Sequence, residues 1–187
     1  MLTARSPAEA HLYMDLHRCA CGSGGFDRRH RLELHGDVLV AVYEGACGQC
    51  GVTRRFEFRM TEEIPPPPPA FGGAEASQII DPGEFEAVAG RLAESTGIQL
   101  LNTPESEHHK LRGAVAYTVA AYEEMLKFLP PGADAIPASA FTSEVGKARY
   151  RHDPRNYERF ILDLNVQGAR NVLDGIDGVG KSSGPAA

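Results

Sequence analysis

Four cysteines carry the clearest chemistry in this chain. Cys19 and Cys21 form a C-x-C pair followed by Gly22, and Cys47 and Cys50 form a C-x-x-C pair followed by Gly51. The stretch between the pairs is long enough for a β-hairpin, which would bring the two turns together. Four thiolates on two turns can surround one Zn²⁺ tetrahedrally and close its coordination sphere, leaving a structural rather than a catalytic ion. A glycine after each pair suits a tight turn that aims backbone N–H groups at sulfur. Two alternatives compete. Paired disulfides would strain the C-x-C unit and need an oxidising compartment. A redox-active C-x-x-C would want a helix to begin at its second thiol. The residues beyond Gly51 are instead Val52-Thr53-Arg54-Arg55-Phe56-Glu57-Phe58-Arg59, which alternate as a strand does.

Residues 17–60 resemble a zinc ribbon: a knuckle, a hairpin, a second knuckle and a third strand. The resemblance covers about a quarter of the chain and implies a module rather than an activity. The first pair departs from the usual C-x₂-C, and His17 stands near enough to replace Cys19 as a ligand. Nearby Arg18, Arg54 and Arg55 would offset the charge of an all-thiolate site.

The flanking sequence supplies the elements that must hold this site. Ser6-Pro7-Ala8-Glu9 reads as a capping box opening a short helix to about Leu16. Residues 26–35 and 38–45 read as two strands joined at His35-Gly36-Asp37, and the third places Val52, Phe56, Phe58 and Met60 on one side. Five prolines, Pro65 to Pro69, then mark a stiff polyproline spacer within a linker over residues 62–75; a recognition motif for another protein is the alternative. Beyond it the apolar period becomes helical. Asp81-Pro82-Gly83-Glu84 starts one helix that Gly97 should end. Thr103-Pro104-Glu105 should open the longest, with Leu111, Val115, Val119, Tyr122, Leu126 and Leu129 on one stripe. A short helix is expected over Thr142 to Arg151, and Asp153-Pro154 caps a last one carrying Tyr157, Phe160, Ile161, Leu164 and Leu173. The expected architecture is α+β: an N-terminal helix and three-stranded antiparallel zinc ribbon over residues 1–61, the linker, a small helical bundle over 76–174, and a flexible tail over 175–187.

Several other patterns touch on function. Gly175-Ile176-Asp177-Gly178-Val179-Gly180-Lys181-Ser182 matches the Walker A consensus. That motif needs a strand before it and a helix after it. Here a helix precedes it and only five residues come after it, so a Gly/Ser tail is expected and no nucleotide. Glu105-x-x-His108 has the spacing of di-iron bundle ligands, but no second such pair occurs. Arg28, Arg29, Arg31, Arg54, Arg55 and Arg59 could meet phosphates, although Glu33, Asp37, Glu44 and Glu57 are interleaved with them.

Composition narrows the classes. The 187 residues are 42% hydrophobic with a formal charge of −6, which argues against bulk binding to nucleic acid or anionic lipid. Residues 17–60 hold 7 Lys+Arg against 5 Asp+Glu, whereas residues 61–187 hold 11 against 18. No apolar run spans a bilayer and no secretory leader is evident, so a cytoplasmic protein and no membrane partner are expected. Fifteen arginines against four lysines suggest a GC-rich bacterial source. The reading is a non-enzymatic, zinc-stabilised module of adaptor or immunity type that binds another protein. The alternatives are a nucleic-acid-binding ribbon acting through Arg28, Arg29, Arg31, Arg54 and Arg55, and an enzyme using His17, His108 or His109 as acid–base groups.

Overall fold

The computed structural model describes residues 1–61 and 63–182. The chain divides into two compact units, Met1–Ile80 and a second beginning at Asp81.

The first unit is α+β. Its elements are β1 (Leu2–Ala4), α1 (Pro7–Leu16), β2 (Arg29–His35), β3 (Val38–Ala46) and β4 (Thr53–Met60), and its sheet has the order β1-β4-β3-β2. The β2–β3–β4 meander is antiparallel, as the ribbon resemblance implies. The sheet nevertheless has four strands, not three. β1 joins it parallel to β4, with Leu2 opposite Phe58 and Ala4 opposite Met60. Three residues are too few for an alternating pattern to be read, and their partner lies far along the chain.

α1 starts at the expected Ser6 cap, but Glu9 turns to Arg5 instead of completing the expected capping box. Ser6 Oγ accepts the Glu9 N–H at 3.0 Å and Pro7 occupies the first turn. The Glu9 carboxylate turns back to Arg5, taking its backbone N–H at 2.6 Å and its guanidinium at 2.7 Å. Fully buried Glu9 thereby keeps a charged partner, which an isolated buried carboxylate could not do without. Ala10 and Met14 of α1 pack on Ala41, Tyr43 and Phe58 together with Ala4 of β1. On the other face of the sheet Val40 and Val42 are buried between long charged neighbours: Val42 stands between Arg31 and Glu57, and Val40 between Glu33 and Arg59.

The expected linker over 62–75 is only partly a spacer. Its proline run is interrupted by a turn in which the Ala70 N–H donates to Pro67 O at 3.3 Å. Phe71 is then fully buried, with its carbonyl held by Ser6 Oγ at 2.6 Å, and Ser77 Oγ caps the N–H groups of Ile79 and Ile80. The chain up to Ile80 thus belongs to the first unit, and Ile79 packs against its core.

The second unit is helical: α2 (Pro82–Asn102), α3 (Arg112–Leu126), α4 (Glu144–His152) and α5 (Arg159–Ser182), with short 3₁₀ turns between them. Its first residue, Asp81, is 2% exposed. One carboxylate oxygen accepts the Glu84 N–H at 3.0 Å and completes a capping box at α2. The other accepts the N–H groups of Thr142 and Ser143 at 2.9 and 2.7 Å, just before α4. The elements approach so closely that a Cβ on Gly83 would lie 2.5 Å from Gly146 Cα.

Four boundaries differ from expectation. Asp153 caps only the 3₁₀ turn Pro154–Tyr157, and the last helix, α5, begins at Arg159. α2 passes through Gly97 to Asn102, since an interior glycine weakens a packed helix by only about 1 kcal/mol. The segment Glu105–Leu111 is a 3₁₀ turn, so the helix expected to be the longest begins only at Arg112 and, at 15 residues, is shorter than α2 and α5. Gly175 to Ser182, expected as flexible tail, continues α5 as helix, and residues 183–187 lie outside the described residues. Ile176 is buried and Asp177 holds Arg112 of α3 at 2.6 Å, which anchors that turn.

Replacing Asp81 by alanine removes the acceptor of three backbone N–H groups at once. We expect Asp81→Ala to lower stability by about 2–4 kcal/mol, read as a shifted denaturant midpoint of the helical signal. Gly146→Ala should act in the same direction, because its Cβ would fall 2.2 Å from the Asp81 carboxylate.

Candidate metal centre

Two turns built by different means converge on one point. In the first, the Gly22 N–H returns to Cys19 O at 2.8 Å and the Cys19 N–H donates to Ser23 O at 2.8 Å; Gly22 has φ +88°. In the second, the Gly51 N–H returns to Cys47 O and the Cys47 N–H to Val52 O, both at 2.9 Å; Gly51 has φ +73°. Both glycines thus occupy the left-handed region that a side chain would strain. The turns are tied together by a bridge pairing Phe26 with Cys47, which extends the β2–β3 hairpin towards the thiols. Gly45 makes this possible, since a Cβ there would lie 1.5 Å from the Asp27 carbonyl oxygen.

The four sulfurs of Cys19, Cys21, Cys47 and Cys50 all lie within 4.8 Å of one another. Cys19 faces Cys50 and Cys21 faces Cys47, each at 3.6 Å. Tetrahedral zinc thiolate sites have a sulfur–sulfur edge of about 3.8 Å, so the cage fits one structural Zn²⁺. None of the four forms a disulfide. Backbone N–H groups of Cys50 and Gln49 hold the Cys47 thiol down at about 6. For Cys50, the Val52 N–H pulls the same way, but the surrounding thiols of Cys21, Cys19 and Cys47 outweigh it and push the group up to about 12. A divalent cation would balance the negative charge that thiolates held this close together carry.

His17 takes no part in this cage. Its ring stacks on Tyr13 at 3.8 Å and its Nδ1 lies 2.9 Å from Tyr13 O, at the end of α1. The alternative ligand set is corrected accordingly. His108 and His109 also serve the backbone: His108 Nε2 lies 3.1 and 3.0 Å from the carbonyls of Leu100 and Thr103, and His109 Nδ1 lies 2.9 Å from Ser106 O.

The five arginines of the nucleic-acid reading are engaged within the molecule. Arg54 is 8% exposed; it lies over the rings of Phe26 and Phe56 and donates to the carbonyls of Gly24 and His17. It fastens the first knuckle to the sheet, a role that strand alternation alone does not reveal. Arg28 pairs with Asp15, and Arg29 lies 3.7 Å from Asp27. Arg31 bonds Glu33 at 2.6 Å and Glu44 at 3.1 Å, while Arg55 bonds Glu57 at 2.5 Å and Glu44 at 3.0 Å. His35 and Arg31 hold Glu33 below the usual carboxylate range, and Arg31 and Arg55 do the same for Glu44.

Comparison with known proteins found no match: no family model, no curated protein and no solved structure is significantly similar to this chain. The centre must be understood from its own geometry.

Protein purified without a histidine tag should contain one zinc per chain, with zinc-edge absorption showing four sulfurs at about 2.3 Å. Cys47→Ser should lose the metal and lower the unfolding temperature of the first unit. Arg54→Ala should destabilise by about 2–3 kcal/mol while the zinc stoichiometry stays at one. Carboxyl NMR titration should place the Glu33 and Glu44 midpoints below the ordinary 4.5.

Proposed function

We propose that this chain is a non-enzymatic, zinc-stabilised module that binds another protein chain. The observation that carries the reading is the closed cage. Four protein sulfurs fill the coordination sphere of the ion and leave no position for water or substrate, so the metal holds a surface in shape rather than performing chemistry. The histidines considered as acid–base groups contact backbone carbonyls instead. The arginines considered for phosphate are matched by carboxylates or carbonyls, which weakens the nucleic-acid reading.

A surface suited to a protein partner lies on the sheet that the cage stabilises. Leu32, Leu34 and Leu39 are 55%, 70% and 44% exposed on the same face as the buried Ala41 and Tyr43. A contiguous apolar strip of this kind on a folded domain marks an interaction site more often than a scattered leucine does. A cytoplasmic setting fits the cage, whose thiols must stay reduced to hold a metal.

The test uses the zinc-loaded chain and its Leu34→Lys variant as paired baits, with equal zinc content and equal unfolding temperature as controls. A protein retained by the parent chain and lost with Leu34→Lys is the expected result. Identical retention by both baits, or a zinc-edge spectrum with an exchangeable oxygen ligand, would overturn the reading.

A further inference from the structure

We propose that the partner on the β2 edge is a second copy of this chain, paired strand to strand about a two-fold axis at Leu32. The proposal deepens the interaction reading above and rests on it.

The edge is open. The order β1-β4-β3-β2 leaves β2 with a neighbour on one side only, and six of its seven residues are exposed. The hairpin that joins it to β3 turns at Gly36-Asp37, with His35 opposite Val38. In a two-residue hairpin the flanking pair exchanges both of its backbone hydrogen bonds. Counting back by twos, Glu33, Arg31 and Arg29 also bond to β3. His30, Leu32 and Leu34 then direct their N–H and C=O groups outward, ready for another strand.

The sequence of β2, Arg29-His30-Arg31-Leu32-Glu33-Leu34-His35, is complementary to its own reverse. With the axis at Leu32, antiparallel pairing sets Leu32 against Leu32 of the second copy and His30 against its Leu34. The outward backbone groups of these three residues then meet in register. On the opposite face Arg31 lies across from Glu33 and Glu33 across from Arg31, which continues the ion net already formed with Glu44 and Arg55. Registers that preserve the faces shift the axis by whole residues. An axis at Arg31 sets arginine against arginine, and one at Glu33 sets glutamate against glutamate, both destabilising across strands. Charge thus favours the Leu32 axis over either adjacent one, and the Leu32 axis also pairs all three outward-facing residues, which one at Leu34 does not. That axis also merges the exposed Leu32, Leu34 and Leu39 of both copies into one apolar stripe, as an isologous interface requires.

Sedimentation equilibrium on the full, zinc-loaded chain tests this. The expected result is a reversible monomer–dimer equilibrium that Leu32→Lys weakens at least about tenfold, by opposing two ammonium groups on the axis. Charge exchange gives the sharper readout. Arg31→Glu alone and Glu33→Arg alone should each be monomeric, because each opposes like charges. Their equimolar mixture should form a heterodimer, because every cross-strand pair at positions 31 and 33 then joins one carboxylate to one guanidinium. Zinc content and unfolding temperature of each variant establish that it is folded. A monomer at every concentration, or a dimer indifferent to all three substitutions, would sink the proposal. Leu34-dependent capture of a different protein by a strictly monomeric chain would do so while leaving the interaction reading in place.

Discussion

Four sulfur atoms held within 4.8 Å of one another are the constraint on which the first unit depends. Brought together as thiolates they repel, and left as thiols they give up the charge that their backbone donors are arranged to stabilise. A divalent cation resolves both problems. It also fastens two knuckle turns to one another, for which the apolar contacts of a small four-stranded sheet are a weak substitute. The Phe26–Cys47 bridge, the close approach at Gly45 and the Arg54 bonds to Gly24 and His17 all lie on the path from cage to sheet. Closing the cage therefore orders the knuckles and the end of the hairpin together.

The same sheet shows how a basic composition can mislead. The seven cationic side chains of residues 17–60 look like a phosphate-binding surface when counted along the chain. In three dimensions, strand register sets Glu44 opposite Arg29 and Arg55, and diagonal to Arg31. Arg31 and Arg55 converge on that single carboxylate and then on Glu33 and Glu57. Their charge is neutralised within the face, where it surrounds buried Val42. Arg54, the neighbour of Arg55, points to the other side and is taken up by carbonyls and aromatic rings. One residue of register separates a surface ion net from a buried structural cation.

The features legible in the sequence rest on local chemistry. Cysteine spacing, glycines after each pair, the Ser6 and Asp81 caps and the alternation of Phe56, Phe58 and Met60 each depend on residues close along the chain, and each is found in the structure, whereas Val52 lies before β4 and is exposed. The features that are not legible depend on distant partners. β1 is three residues whose strand character comes only from Phe58 to Met60. Helix α5 continues through glycines that read as a tail because Ile176 is buried and Asp177 meets Arg112, 65 residues earlier in the chain. Asp81 is visible as the cap of α2, but its second oxygen serves Thr142 and Ser143, which no local pattern announces. His17 stands close to the cysteines in sequence and is drawn instead onto Tyr13 by the geometry of the α1 terminus.

The exposed leucines of β2 have a geometric cause. Four strands spaced about 4.8 Å apart span roughly 14 Å between outer strand axes. A helix with its side chains is about 10 Å across, so a single helix covers two strands well and a third poorly. α1 lies over the part of the sheet that carries Phe58, Ala41 and Tyr43, and β1 closes the edge beside β4. The uncovered remainder is the β2 margin, where alternation has already placed Leu32 and Leu34 on the face α1 packs against but beyond the part that it covers. A sequence free to avoid this exposure would put polar residues there, as edge strands commonly do on both faces. β2 instead confines its charges to one face and keeps leucines on the other, and this division is what an additional strand could use.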